Sequence, residues 1–572
     1  MSWRRLYSPQ RVSVALLALL ASATSLVNGF VYDDGPIIQT NARVHTLARF
    51  WEIFAQPYWP PGWGDANYRP LTILSFAIQW AVGGGSPAVF HAANVVLYVA
   101  TSLAVLALAR LVLPPNVAWL VAALFAVHPV HVEAVGNVVG QAELVVSLCS
   151  ALAVVAYLRL RRAGTGEPRG EGRTAGAIAS LYVVALLSKE TGFFLPGLLL
   201  AAEATVVGSW LPQARRATLT RVRETWRIGA ACAAIAAAYV FTRVAVLGGT
   251  GDDPNAVVAL LGHKARLLTM LGVVPEWARL LVWPARLAAD YSPPAIRIFA
   301  GFSWALVPAA AILALGVLVC IADSRRRVAT FGIAWLAVAL FPVSNLYLRS
   351  GVILAERTLL LPSIGFLFAL GAAATLVAGR YRARIRLSSP SIGLPAALLL
   401  LLGVVWSARR QHVWRSNDDF FRRIVEDAPL GYRAHYMHGM WLFEQGRRAE
   451  GERHVRTAIA LFPYDAEPYT DLAHEYRKTG LCAAARPLYR RALAVGSLRP
   501  GPRLGLVACL LQDGEYAEAR AEARRGVERG GPAVPQFTRL LALADSVAGP
   551  DVAPVTLSGT PRAEPDGTGS RP

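Results

Sequence analysis

Seven long apolar runs limit what this chain can become: Arg11 to Gly29, Phe90 to Arg110, Leu144 to Leu158, Ile228 to Leu247, Trp304 to Ile321, Phe366 to Ala378 and Gly393 to Ser407. A helix needs about 17–25 apolar residues to cross a hydrocarbon core roughly 30 Å thick. So many such runs do not fit around one water-soluble core. The composition agrees. Of 572 residues, 55% are hydrophobic and 16% charged, with mean hydropathy +0.41. An ordinary soluble domain is about one-quarter charged. The chain therefore reads as all-α and polytopic.

Net charge is +20, from 57 basic and 37 acidic residues. The arginines lie in short stretches between apolar runs, without interleaved aromatics on a soluble face. Nucleic acid is therefore not the expected partner. Basic residues concentrate in cytoplasmic loops. Five clusters stand out: Arg4/Arg5/Arg11, Arg159 to Arg173, Arg215 to Arg227, Arg325 to Arg327 and Arg380 to Arg386. With all five on one side, eleven spans follow, near 11–29, 87–110, 116–130, 143–159, 175–188, 191–208, 229–247, 301–321, 329–343, 358–378 and 391–407. The N-terminus is then inside and the C-terminus outside. The first run reads as a retained signal anchor, because Ala21-Ser22-Ala23 is a weak cleavage site. Stretches 71–82 and 255–289 read as interfacial. Five cysteines, Cys149, Cys232, Cys320, Cys482 and Cys509, are too few and scattered for a disulfide framework, and none has metal-ligand spacing.

This topology collects the polar motifs at the span ends opposite the arginines. Charged groups converging at one membrane surface are what an active site there would need. Asp33-Asp34 follows the first run directly. Side by side, two carboxylates repel and one is pushed toward protonation, unless a cation such as Arg69 compensates. They are either a solvated, helix-capping loop or a general base that takes a proton from a hydroxyl. His128, His131 and Glu133 read as a polar span end or as substrate contacts, their spacing matching no standard zinc motif. Lys189 beside Glu190 is either a snorkelling pair or a phosphate contact. Glu356-Arg357, with Asn345 nearby, either fixes a loop or offers a guanidinium to a phosphate.

After Ser407 the composition turns soluble. Gly446, Gly480 and Gly514 recur every 34 residues, the period of the tetratricopeptide repeat (TPR) helix pair. Small residues keep phase: Gly439 and Ala473; Gly451, Ala485 and Ala519; Ala458, Ala492 and Gly526. The expected division is a transmembrane part at 1–408, TPR helices at 409–548 with a half repeat near Trp414 to Pro429, and a disordered tail at 549–572.

Several separated motifs carry a family resemblance: Phe30-Val31-Tyr32-Asp33-Asp34, Tyr68-Arg69-Pro70-Leu71, His91 to Asn94, His128 to Val135, Leu187 to Glu190, Asp290-Tyr291-Ser292, Pro342 to Asn345, Ala355-Glu356-Arg357 and Leu361 to Gly365. In this order, with the TPR array behind them, they resemble the transmembrane-and-tetratricopeptide-repeat (TMTC) protein O-mannosyltransferases and their bacterial relatives. The resemblance runs from about residue 30 to 530. It implies the C-type glycosyltransferase (GT-C) membrane fold followed by a TPR α-solenoid. It also implies sugar transfer, mannose first, from a polyprenyl phosphate to a hydroxyl of a protein or glycan on the non-cytoplasmic face. Carried onto this chain, Asp33 and Asp34 become the catalytic acids. The expected substrate-binding set is Tyr68, Arg69, His128, His131, Glu133, Glu143, Lys189, Glu190, Asp290, Asn345, Glu356 and Arg357. No cofactor is required, though paired carboxylates leave room for a divalent cation at Asp33/Asp34. Two departures stand out. Gly140-Gln141-Ala142-Glu143 occupies the place where the family often has Gly-Arg-Ala-Asp, and Val132 replaces a usual threonine.

The arginine and alanine bias points to a bacterial inner membrane, with the TPR part periplasmic and open to a protein partner. Two other readings compete. A non-catalytic membrane scaffold would act through its TPR array. A transporter or flippase would show mid-span charges and a repeated half-chain, and neither pattern occurs.

Overall fold

The computed structural model describes the chain apart from residues 1–7, 62, 64–66, 164–167, 209–217, 250–256, 324–326, 348, 350, 381–389, 498 and 549–572, and apart from the side chains of 168–171, 218–224, 258–259, 377–380 and 390–392. The expected tail at 549–572 and Arg4, Arg5, Arg215, Arg216, Arg325, Arg326, Arg382, Arg384 and Arg386 lie outside the described residues. Two compact units form. One comprises the chain up to Tyr291 together with Gly301–Asp427; the other comprises Ser292–Ala300 and the chain from Ala428. Among the described residues the regular structure is helical, with a single isolated β-bridge, Pro294 to Gly431, inside the second unit.

The first unit contains α1 (Pro9–Ser22), α2 (Pro70–Gly83), α3 (Pro87–Val112), α4 (Pro115–Ala126), α5 (Val132–Gly136), α6 (Gln141–Ala163), α7 (Pro168–Ser188), α8 (Leu195–Ala202), α9 (Thr218–Leu247), α10 (His263–Val282), α11 (Val307–Ala322), α12 (Val328–Leu340), α13 (Leu360–Arg380), α14 (Pro390–Arg410) and α15 (Asn417–Asp427). Helices α1 to α4 each begin at a proline. There the missing N–H would be unpaired anyway, and the fixed φ suits the first turn.

Among the described residues, eight stretches are long and apolar enough to cross a membrane, and a ninth is the pair Pro115–Ala126 and Pro129–Gly136, bent by 47° at the Val127-His128 break. Shorter apolar helices at Gly172–Ser188 and Val328–Val343 fall at the remaining two expected spans. The chain is an integral membrane protein. Pro70–Gly83 is likewise short, and α10, with Pro275 and four charged residues, stands where the second interfacial stretch was expected. Burial sorts the spans. The Val138–Ala163 stretch is 78% buried within the protein, whereas the Trp304–Ala322 and Gly393–Trp414 stretches are 11% buried and turn their apolar side chains outward.

At the centre, α12 and α13 cross backbone to backbone. A Cβ on Gly332 would lie 2.5 Å from the Gly365 carbonyl, and one on Gly365 would lie 2.4 Å from the Gly332 carbonyl. Small residues allow such approach where lipid removes the hydrophobic drive between helices. Next to the crossing, the Trp335 indole donates to the Leu361 carbonyl at 2.9 Å.

The second unit holds α16 (Tyr432–Glu444), α17 (Arg448–Leu461), α18 (Ala466–Lys478), α19 (Cys482–Ala494), α20 (Gly501–Gln512), α21 (Tyr516–Glu528) and α22 (Val534–Ala548). Gly446, Gly480 and Gly514 sit at the turn inside each of three helix pairs, all with φ +76°. A side chain is disfavoured in that left-handed conformation, which is why the 34-residue rhythm is written in glycine. Gly439 and Gly451 let α16 and α17 touch. The reading of the cysteines needs a correction: Cys482 and Cys509 form a disulfide. They lie 27 residues apart, and antiparallel packing of α19 on α20 brings their Cα atoms to 5.2 Å. Residues 292–300 also join this unit, Pro293 accepting from the Tyr432 N–H at 3.1 Å.

Gly332→Ala should destabilise the bundle by about 1–3 kcal/mol, the usual cost of overpacking. Gly316→Ala, at a position with no neighbour within 4 Å, should not. Thermal unfolding in detergent compares the two, and a wild-type melting temperature for Gly332→Ala would contradict the crossing.

Candidate active site

The acidic pair sits in a tight turn that its own side chains build. The Asp34 N–H donates to the Val31 carbonyl at 3.1 Å, and Asp34 Oδ2 accepts the Val31 N–H at 3.1 Å. Tyr32 is forced to φ +55°, a conformation costly for a residue with a Cβ. Asp34 Oδ1 reaches across to the Val139 N–H at 3.0 Å, in the break between α5 and α6. Asp34 is therefore fully buried, whereas Asp33 is partly exposed. Burial pushes the Asp34 carboxyl up to about 7; the backbone donors of Val31 and Val139 oppose this and the Asp33 charge adds to it.

Around this turn stand three partly buried ion pairs. Arg69 Nε donates to Glu190 Oε2 at 2.9 Å, and the Tyr68 N–H donates to Glu190 Oε1 at 3.2 Å. Lys189 pairs with Glu143, and Arg357 with Glu133, whose Oε2 also accepts the Arg357 N–H at 2.8 Å. The pairs are mutually close: Lys189 feels the charges of Arg69 and Arg357, and Arg357 those of Asp33 and Glu143. Ten of the fourteen expected site residues thus belong to one connected cluster: Asp33, Asp34, Tyr68, Arg69, Glu133, Glu143, Lys189, Glu190, Glu356 and Arg357. Each charged member lies where a span begins or breaks, so the charges sit beside irregular backbone and not in mid-helix.

Several partners differ from those expected between sequence neighbours. Arg69 compensates Glu190 and not the acidic pair. Lys189 bonds Glu143 and not adjacent Glu190. Glu356 turns from Arg357 to accept from Tyr291 Oη and the Ala288 N–H, both at 2.6 Å. The observed contacts of the other four expected residues lead elsewhere. His131 bridges Tyr98 Oη at 3.0 Å and Ser363 Oγ at 2.9 Å. His128 Nε2 meets the Leu281 carbonyl at 3.0 Å. Asn345, at φ +54°, donates to the Val352 carbonyl at 3.2 Å. Asp290 is buried beside Tyr291.

Sequence reasoning missed Tyr58. Its ring lies 4.8 Å beneath the Arg69 guanidinium, its buried hydroxyl has no hydrogen-bond partner among the described residues, and it feels the charges of Asp33 and Asp34. Gln141 also finds a role. It accepts from Ser75 Oγ at 2.6 Å and Gln79 Nε2 at 2.9 Å and donates to Asn94 Oδ1 at 3.0 Å. A neutral network thus occupies the place of the family's usual arginine. For a divalent cation the acidic pair is a poor fit, because both Asp34 oxygens are taken by backbone amides. Among the described residues no group of three His, Cys, Asp or Glu side chains is arranged around a metal position.

Residues 470–543 match the tetratricopeptide repeat family. The chain is 28% identical over 495 residues to protein O-mannosyl-transferase TMTC4 of Mus musculus, covering 78% of this chain and 66% of that protein. It is 28% identical over 510 residues to protein O-mannosyl-transferase TMTC1 of Homo sapiens, covering 81% and 57%. Tmtc2 of Drosophila melanogaster is 31% identical over 293 residues. The chain is thus similar, over most of its length, to TMTC proteins. It spans 57% to 66% of the length of these first two relatives.

Asp34 gives the site a pH signature. Its folded-state value, about 7, lies above the ordinary 3.8. Its contribution to stability is therefore full below the ordinary value and is lost as pH rises through 7. Asp34→Asn cannot ionise, so its unfolding midpoint should vary less between pH 4 and 8 than that of wild type. Identical pH profiles would contradict the buried placement of Asp34.

Proposed function

We propose that this chain is a membrane glycosyltransferase that moves a sugar, mannose first, from a polyprenyl phosphate to a protein hydroxyl on the non-cytoplasmic face. One observation carries the reading: a partly exposed carboxylate, Asp33, stands in a hydrogen-bonded turn within electrostatic reach of Arg357 and beside three partly buried ion pairs. The TMTC4 and TMTC1 relatives are both named protein O-mannosyl-transferases, which supports mannose and a protein acceptor.

The chemistry follows from the geometry. Asp33 takes the proton of the acceptor hydroxyl as its oxygen bonds to the sugar C1. The bond from C1 to the phosphate oxygen breaks from the opposite side, with inversion, and the polyprenyl phosphate leaves as an anion. Arg357 has the most exposed side chain of the three paired cations, 25% against 17% for Arg69 and 12% for Lys189. It is the group placed to meet the departing charge, where a preorganised donor is worth most. Each of the three cations is held in place by a glutamate. Asp34, with both oxygens committed to backbone, anchors the turn and takes no proton from the acceptor.

The disulfide between Cys482 and Cys509 supports placing the repeats in an oxidising compartment such as the periplasm. The TPR unit is then available to a protein acceptor or partner. The scaffold reading keeps this partner role and drops the chemistry.

Turnover of polyprenyl-phosphate mannose in membranes separates the two. Asp33→Asn should lower transfer by about 10²–10⁴-fold, the span of a general base. Turnover equal to wild type would leave the scaffold.

A further inference from the structure

Behind the acidic turn runs a segment that sequence reading assigned to the repeats. From Ala408 to Phe421 the chain is stitched to the first loop in order. Thr24 Oγ1 donates to the Ala408 carbonyl at 2.9 Å, Asn28 Nδ2 to the Gln411 carbonyl at 3.0 Å, the Gly29 N–H to the Arg415 carbonyl at 2.9 Å, and the Tyr32 N–H to Asn417 Oδ1 at 2.9 Å. The Tyr32 ring stacks on Phe420, with centroids 5.4 Å apart and planes 22° apart, and Phe421 closes on its edge at 6.2 Å. The same segment backs the other wall of the site. A Cβ on Gly136, three residues after Glu133, would lie 2.4 Å from Gln411 Oε1 and 3.0 Å from the Trp414 ring.

The local sequence explains the rigidity. Ser416 caps α15, its hydroxyl accepting the Asp419 N–H at 3.1 Å and donating to Asp419 Oδ2 at 2.9 Å. That reciprocal cap fixes where the helix starts, and therefore where Asn417 presents its amide oxygen. Trp414 packs on Phe420 at 4.7 Å, so the ring that receives Tyr32 is itself locked. A non-glycine residue in the left-handed region persists only when its surroundings over-determine it, and here the N–H and the ring of Tyr32 are both held by α15.

We propose that Gln411 to Phe421 is the positioning element of the acidic turn. In it, Asn417 and Phe420 hold Tyr32 left-handed and so aim the Asp33 carboxyl. The proposal rests on the transferase reading for its kinetic consequence, but not for its structural one. Asn417 and Phe420 touch no substrate; they act through Tyr32. The helix ends at Asp427, one residue before the second unit begins, so the last span is followed by a strap that belongs to the catalytic half and not by a linker.

Two measurements test it. In membranes, Asn417→Ala and Phe420→Ala should each lower kcat by at least about tenfold, as small misplacements of a reacting group do, with the donor KM held. Phe420→Tyr, which keeps the stacked ring, should restore kcat. Wild-type kcat in both alanine variants, or a loss confined to KM, would overturn the proposal. The second measurement needs no turnover. With Asp33→Cys, the rate of labelling by a membrane-impermeant maleimide reports how position 33 is presented; Cys149 and Cys232 are buried and Cys320 is half-buried. Adding Asn417→Ala or Phe420→Ala should shift that rate severalfold. An unchanged rate in both would overturn the strap. A wild-type chain without transferase turnover would end the transferase reading, while the labelling result would still decide the strap.

Discussion

The Asp34 carboxyl joins two stretches of backbone more than a hundred residues apart, Val31 in the first loop and Val139 in the break before α6. That tie is one of the bonds that hold the first loop against the helices carrying Glu133, Glu143 and, through them, Arg357 and Lys189. A buried carboxyl is expensive unless its oxygens are satisfied, and backbone amides satisfy both. The cost of burying Asp34 is offset by what it organises: its neighbour Asp33 is left at the partly open edge of the turn, in a position that side-chain rotation alone would not maintain.

Electrostatic logic runs through the rest of the cluster. A cation in a low-dielectric site must be paired or it will deprotonate or distort the fold. Burial pulls the Lys189 ammonium below the ordinary lysine range, with Glu143 opposing that pull and Arg69 and Arg357 adding to it. Each cation has its own glutamate, donated by a different helix break, so the ion pairs also act as cross-braces between α5, α6, the α7–α8 junction and the start of α13.

Much of the architecture was legible because its causes are local. Apolar runs mark spans, since bilayer thickness sets their length. Gly446, Gly480 and Gly514 mark repeat turns, since each needs a left-handed φ. The doublet Asp33-Asp34 was legible as a charged pair at a span end. Which of the two is buried was not, because the two carboxylates differ only in what packs against them. Pairings such as Lys189 with Glu143 or Arg69 with Glu190 span 46 and 121 residues, and no spacing rule reaches that far. The strap escaped for a related reason. Asn417 and Phe420 look like the start of a soluble repeat, and their bond and stack to Tyr32 bridge some four hundred residues of chain. Cys482 and Cys509 were likewise invisible as a pair until antiparallel helices brought them together.

The most direct measurement is an experimental structure of the full chain in lipid with a non-hydrolysable polyprenyl-phosphate sugar bound. The account predicts the sugar C1 facing the Asp33 carboxyl, the phosphate on the Arg357 side of the cluster, and Asp34 still bonded to Val31 and Val139. A donor phosphate seated away from the three ion pairs, or Asp34 and not Asp33 turned toward C1, would contradict it.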